Sequence, residues 1–138
     1  MTAIVVDDGV SDSGITGFDL SGFSKLKRLE IGNDCFTYVE EVKLIGLNEL
    51  ESVVIGMNSF AKNKKSDGYD PNGQFYLKDC PKLKSLKMGR YSFMDYTVCA
   101  IENVDALEVI EMGDLEYMTG CFCRASTLEL KSILIHRE

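Results

Sequence analysis

The chain is poor in the residues from which active sites are usually built. It has one histidine, His136, close to the last residue and too isolated to serve as a base for a cysteine or serine nucleophile. Basic residues are also in deficit. Fifteen Lys and Arg face 22 Asp and Glu, a formal net charge of −7, which argues against the clustered basic face that nucleic acid or an anionic membrane surface requires. No apolar run approaches the ~20 residues of a membrane span, so no membrane insertion is expected. The opening residues, Met1 to Asp8, lack a basic start, and their apolar part is too short for a signal peptide. There is no phosphate-binding glycine loop. Cys121 and Cys123 with His136 lack a second cysteine pair at zinc-ligand spacing, so paired thiols in a core are expected there. Asp7-Asp8-Gly-Val-Ser-Asp12 and Asp67-Gly-Tyr-Asp70 lack the closing glutamate of a calcium loop and read as turns. The expectation is a protein that is not an enzyme, with no catalytic residue, metal or cofactor.

Cysteine is present in an odd number, five, with no framework spacing. Cys35, Cys80 and Cys99 fall where related positions carry Ser, Leu or Phe, as small buried apolar residues would. Reduced thiols lean towards an intracellular compartment.

What the sequence does contain is a repeat. At a step of 24, Phe18, Leu20, Leu26, Leu29, Ile31, Gly32 and Phe36 recur as Val42, Leu44, Leu50, Val53, Ile55, Gly56 and Phe60. A step of 33 gives Phe75, Leu77, Leu83, Leu86, Met88, Gly89 and Phe93; a further 24 gives Cys99, Ile101, Leu107, Ile110, Met112, Gly113 and Tyr117. Every column stays apolar except the glycine column, which stays glycine. With average Gly usage of about 7%, four glycines in four by chance is on the order of 10⁻⁵. Ile4 and Val6 precede Leu29 and Ile31 by nearly the same step, and Leu130, Ile133 and Ile135 repeat the Leu-x-x-Ile-x-Ile core near the end. The whole of 1–138 is therefore expected to be one domain with units near 1–16 (partial), 17–40, 41–73 with an insert at 61–72, 74–97, 98–121 and 122–138 (partial).

Leu29-Glu-Ile31 and its copies alternate apolar and polar, as does Phe18-Asp-Leu20, so each unit supplies two short extended pieces. No stretch of about ten residues keeps the 3.6-residue period of a helix; at most one helical turn is expected near Asn33–Tyr38. One such coil cannot bury its apolar residues alone, and stacking buries them against its neighbours. The predicted fold is a β-rich solenoid of five to six coils, with parallel strands centred on Val5, Glu30, Val54, Lys87, Glu111 and Leu134. Leu29, Ile55 and Met88 should point inward. The glycines serve either positive φ or close approach between coils, and Phe36, Phe60, Phe93 and Tyr117 should stack as an aromatic spine.

Leu26-x-x-Leu29-x-Ile31 and its copies resemble the strand segment of leucine-rich repeats. The following Gly-x-x-(Cys/Ser)-Phe, as in Gly56-Met-Asn-Ser-Phe60, is similar to the BspA-like repeats of microbial surface and effector proteins. The resemblance implies a parallel sheet lining a concave face. The ladder asparagine of such repeats would fall on Asp34, Asn58, Tyr91 and Leu115, and only Asn58 keeps it. The convex side is accordingly expected to hold short strands or turns.

The resemblance also implies that a partner contacts the outward strand residues. These are Arg28, Ser52, Ser85, Val109 and Ser132 in one column, Glu30, Val54, Lys87, Glu111 and Leu134 in the next, and Asn33, Met57, Arg90 and Asp114 beyond the glycine. They vary from copy to copy while the apolar columns do not. Apolar residues among charges suit protein recognition, so the expected function is a protein-interaction module. The alternative is an assembly element whose uncapped ends stack on further repeats or on other copies. Lys27, Glu51, Lys84, Glu108 and Lys131 alternate in sign and are expected to pair across strands. The polar insert at 61–72 reads equally as a binding edge or as a loop without a partner.

Overall fold

The computed structural model describes residues 2–12, 14–60, 73–90, 92–93, 96, 98–112 and 127–130. These form ten strands and no helix: β1 (Ala3–Val6), β2 (Gly17–Asp19), β3 (Arg28–Ile31), β4 (Glu41–Ile45), β5 (Ser52–Ile55), β6 (Gln74–Lys78), β7 (Ser85–Met88), β8 (Val98–Glu102), β9 (Val109–Met112) and β10 (Thr127–Leu130). Odd-numbered strands make one parallel sheet, in the order β1-β3-β5-β7-β9. Even-numbered strands make the other, in the order β10-β8-β6-β4-β2. The chain thus passes from one sheet to the other and back in each repeat.

Strand register follows the sequence repeat. Leu29 lies beside Val53, Val53 beside Leu86 and Leu86 beside Ile110. In the second sheet Phe18 lies beside Val42, then Phe75, then Cys99. Leu29, Ile55 and Met88 are buried as expected, and both sheets contribute to one core. The expected short strands on the second side prove to be a full sheet, with five residues in each of β4, β6 and β8.

The glycine column is explained by close approach. A methyl built on Gly56 would lie 2.5 Å from the carbonyl carbon of Gly32, and one on Gly89 would lie 2.7 Å from the Met57 nitrogen. No side chain fits between two backbones at that distance. Positive φ occurs elsewhere, at two corners of the repeat. After the first-sheet strands it recurs at Gly9, Asp34 and Asn58, and slightly further on at Phe36, Phe60 and Phe93. After the second-sheet strands it recurs at Gly46, Asp79 and Asn103. Asp and Asn tolerate this conformation with little strain. Phenylalanine does not, and a bulky left-handed residue costs roughly 1–2 kcal/mol. Here that cost is offset by burial. Phe36, Phe60 and Phe93 are 8%, 1% and 0% exposed, and burying such a ring is worth about 1.5–3 kcal/mol. Each also donates its N–H to the coil before: Phe36 to Val10 O, Phe60 to Cys35 O and Phe93 to Ser59 O. In place of a helical turn near Asn33–Tyr38 there is a hydrogen-bonded corner with left-handed residues at Asp34 and Phe36.

The three rings stack as a spine, Phe36 on Phe60 at 5.4 Å and Phe60 on Phe93 at 4.9 Å. Tyr117 lies outside the described residues. Beside the spine runs a polar ladder. Ser59 Oγ donates to Gly32 O at 2.6 Å, Ser92 Oγ to Gly56 O at 2.8 Å, and Cys35 Sγ to Asp7 O at 3.1 Å. The Gly-x-x-(Cys/Ser)-Phe motif therefore reads as three consecutive tasks: backbone approach, a hydroxyl or thiol onto the preceding coil, and a ring in the spine.

Tyr96 bridges the place where the insert leaves the second unit. Its hydroxyl donates to Val39 O, 57 residues away, and its ring packs so close to Gly73 that an added methyl there would meet it at 2.8 Å. Val39 and Tyr96 occupy equivalent positions in the units before and after the one with the insert, so the tyrosine spans that unit to reach the coil beyond it.

Two expectations need correction. The repeat groups Leu130 with Leu107, ahead of a sixth first-sheet strand. Instead Leu130 belongs to β10 in the second sheet and pairs with Ile101, at a longer step than the repeat predicts. Thr-Leu-Glu-Leu has the period of two that any strand needs, so spacing alone does not assign its sheet; Leu134 lies outside the described residues. The alternating column also forms no ion pair among the described residues. Its members are joined through backbone, with Glu51 N–H on Lys27 O, Lys84 N–H on Glu51 O and Glu108 N–H on Lys84 O. Cross-coil ion pairs form instead between Lys78 and Glu102 at 3.6 Å and between Lys82 and Glu49 at 2.8 Å; the latter lowers the Glu49 pKa and raises that of Lys82 through their hydrogen bond.

Ile55→Ala or Leu86→Ala should cost about 2–5 kcal/mol through the cavity each leaves, whereas exposed Lys84→Ala should cost well under ~1 kcal/mol. Tyr96→Phe should cost about 1–3 kcal/mol, because the buried Val39 carbonyl loses its donor. Denaturant midpoints with unchanged slopes check all three values.

Candidate partner-binding face

The inward residues of the first sheet are fixed by the core, so alternate residues must face outward. Register sets them in two columns. Ala3, Arg28, Ser52, Ser85 and Val109 form one, and Val5, Glu30, Val54, Lys87 and Glu111 the other. Past the strand ends lie Asn33, Met57 and Arg90. Every one of these residues is partly or fully exposed. The sequence-derived surface is thus brought together on one side of one sheet, apart from Asp114, Ser132 and Leu134, which lie outside the described residues. Val5 joins this face although the sequence columns begin only at Glu30. It precedes Glu30 by the same step that joins Ile4 to Leu29, so the repeat does contain the signal.

This face combines exposed apolar side chains with charges. Val5 is 59% exposed, Val54 37% and Met57 46%. Arg28 and Glu30 contact each other at 3.6 Å along β3, an exposed pair worth at most about 1 kcal/mol. Lys87, Arg90 and Glu111 have no ion-pair partner among the described residues. Asn33 serves the scaffold as well as the surface. Its Oδ1 accepts the Met57 N–H at 2.8 Å, and its own N–H donates to Asp8 Oδ1 at 2.8 Å. The side-chain ladder thus runs one residue upstream of Asp34 and Asn58, whose column supplies left-handed corners instead.

The outer face of the second sheet differs. Lys43 pairs with Glu41 at 3.4 Å and Lys78 with Glu102 at 3.6 Å. The Tyr76 hydroxyl lies 3.0 Å from Gln74 Oε1, and Lys78 Nζ lies 5.3 Å from the centre of the Tyr76 ring. Its charges are largely matched within the molecule. A partner would have to break those contacts, whereas on the first sheet it meets exposed hydrocarbon and charges unpaired among the described residues.

The buried thiols offer little chemistry. Cys35, Cys80 and Cys99 are buried. Burial pushes the Cys80 thiol up, away from the reactive thiolate, and its sulfur lies 3.3 Å from Lys78 O. Among the described residues no group of His, Cys, Asp and Glu is placed to hold a metal ion. Iodoacetamide labelling of the native protein at neutral pH, read peptide by peptide, should leave Cys35, Cys80 and Cys99 unmodified until denaturant is added.

Comparison with protein-family models, with curated proteins and with solved structures gave no match to this chain.

Proposed function

We propose that the chain is a leucine-rich-repeat-like solenoid of the BspA type and that it binds a protein partner through the outer face of its first sheet. One observation carries this reading. Exposed Val5, Val54 and Met57 share a face with Lys87, Arg90 and Glu111, which form no ion pair among the described residues even though register sets Lys87 beside Glu111. Hydrocarbon bordered by unmatched charge is the composition of protein interfaces, where apolar anchors supply affinity and charges select the partner. The glycines, serines and phenylalanines that set the coil repeat point into the stack, so surface residues are free to differ between repeats. The partner that fits is a protein segment with an apolar stretch opposite Val54 and Met57 and an acidic group opposite Lys87 and Arg90.

The chain, immobilised and exposed to extract of its source organism, should retain a protein that Val54→Asp with Met57→Asp releases, with affinity reduced about tenfold or more, roughly 1.4 kcal/mol or above. Tyr76→Ala on the second sheet should leave retention unchanged. Loss of the partner with Tyr76→Ala and not with the double variant would transfer the function to the other face, and retention of nothing would count against the proposal as a whole.

A further inference from the structure

On the outer face of the first sheet, residue character is sorted by strand. From Ser52 to Met57 there is no charged residue, so β5 and its exit present Ser52 with the exposed apolar Val54 and Met57. From Ser85 to Arg90 there are two basic residues and no acidic one, so β7 and its exit present Ser85, Lys87 and Arg90. The two lines are neighbours, because β5 pairs with β7 and sets Val54 beside Lys87. Across the strands the same face changes at every step: Val5, Glu30, Val54, Lys87 and Glu111 are apolar, acidic, apolar, basic and acidic. A ligand lying across the sheet meets no constant chemistry. One lying along the strands meets an apolar line and a cationic line side by side.

The flanking strands set the width of this lane. Glu30 stands on β3 to one side, engaged with Arg28 at 3.6 Å, and exposed Glu111 stands on β9 to the other. Carboxylates of a ligand are drawn to Lys87 and Arg90 and repelled from both borders. Paired strands lie about 4.8 Å apart, so two of them make a lane roughly 10 Å wide, the diameter of an α-helix with its side chains. From Ser52 to Met57 the chain advances no more than about 16 Å, which a helix covers in about eleven residues, or three turns. An extended segment turns alternate residues to opposite sides and sets a single line of side chains on the sheet. A helix carries an apolar stripe and an adjacent acidic stripe together.

We propose that the segment held by the first sheet is an acidic amphipathic helix of about three turns, lying along β5 and β7 with its apolar stripe on Val54 and Met57 and its carboxylates on Lys87 and Arg90. This inference rests on the first sheet being the partner face, and it adds what the partner presents and how it lies. Met57, unbranched and flexible, adapts to whichever apolar side chain the helix brings.

Fluorescence anisotropy with two synthetic peptides tests this. Both are labelled, amidated helix formers of about 14 residues with Leu at every third or fourth position; one carries Glu on the adjacent stripe and the other Lys. The wild-type chain should bind the Glu peptide at least tenfold more tightly than the Lys peptide, with affinity falling as salt rises. Lys87→Glu with Arg90→Glu should reverse the preference, a gain that an unfolded variant could not show. Val54→Asp with Met57→Asp should weaken binding of the Glu peptide tenfold or more, and Tyr76→Ala should leave it unchanged. In two-dimensional NMR of the isotope-labelled chain, the Glu peptide should shift the amides of Val54, Met57, Lys87 and Arg90 and leave that of Val5 in place. Equal affinity for the two peptides, a preference that survives the charge reversal, or shifts running along the row from Val5 to Glu111 would each overturn the inference. Any of those results with a natural partner still retained from extract would strike this inference alone; retention of nothing would instead strike the reading beneath it.

Discussion

The distance between the backbones of successive repeats is the constraint on which the rest of the structure depends. At the glycine column it is too short for any side chain, since the site for a methyl on Gly56 lies 2.5 Å from the Gly32 carbonyl carbon. That approach places Ser59 and Ser92 within reach of the carbonyls of the coil before. It sets the phenylalanine rings about one coil apart, close enough to stack. It also carries the hydrogen-bond ladder beyond the strands, through Glu40 on Thr16 and Gln74 on Glu40 at the next corner. The favourable terms are burial of apolar area and satisfaction of buried backbone groups. The left-handed phenylalanines are the local cost, and each is held in place by both terms.

The parts of this arrangement written in the sequence are those with a column signature. Inward Leu, Val and Ile, the aromatic spine and the buried Cys35, Cys80 and Cys99 are legible because each recurs at a fixed step and cannot change polarity without losing core. Left-handed corners are less legible. Phe36 and Phe60 adopt a conformation that residue type disfavours, and only their burial and their hydrogen bonds to the previous coil sustain it. At Gly46, Asp79 and Asn103 the residue types do carry the signal, as small or amide-bearing positions repeated in one column. Tyr96 is not legible, because its contact with Val39 joins two units that are not neighbours along the repeat. The register of β10 is ambiguous for another reason: an alternating tetrapeptide suits either sheet, and the step of 29 from Ile101 to Leu130 matches neither the 24 from Leu77 to Ile101 nor the 33 from Leu44 to Leu77.

For the surface, sequence supplies position more readily than interaction. The outward columns follow directly from register, and Arg28 to Glu111 lie where alternation puts them. Charge pairing does not follow. The alternating Lys27, Glu51, Lys84 and Glu108 stack through backbone and form no ion pair among the described residues, while in the column Lys25, Glu49 and Lys82, which also alternates, only Glu49 and Lys82 meet, at 2.8 Å. Long side chains at the surface lose rotamer freedom when they pair and gain little in water, so sign alternation is a weak guide to contact. The contrast that supports a recognition role for the first sheet, Lys87, Arg90 and Glu111 without an ion pair among the described residues against the paired lysines of the second sheet, emerges only from three-dimensional neighbours.

The claim that close backbone approach organises the stack can be measured at one residue. Gly56→Ala adds a methyl where two backbones already meet, and relief requires the coils to move apart, at a cost of about 1–3 kcal/mol as for other overpacked sites. Gly22→Ala adds the same methyl where nothing lies within 4 Å, at a position that does not require positive φ. It should be neutral or stabilising by up to ~1 kcal/mol, through the reduced freedom of the unfolded chain. Equilibrium denaturation of the two variants beside the wild type should therefore separate them in opposite directions. Equal midpoints for Gly56→Ala and Gly22→Ala would contradict the account, because the glycine column would then not be what sets the spacing of the coils.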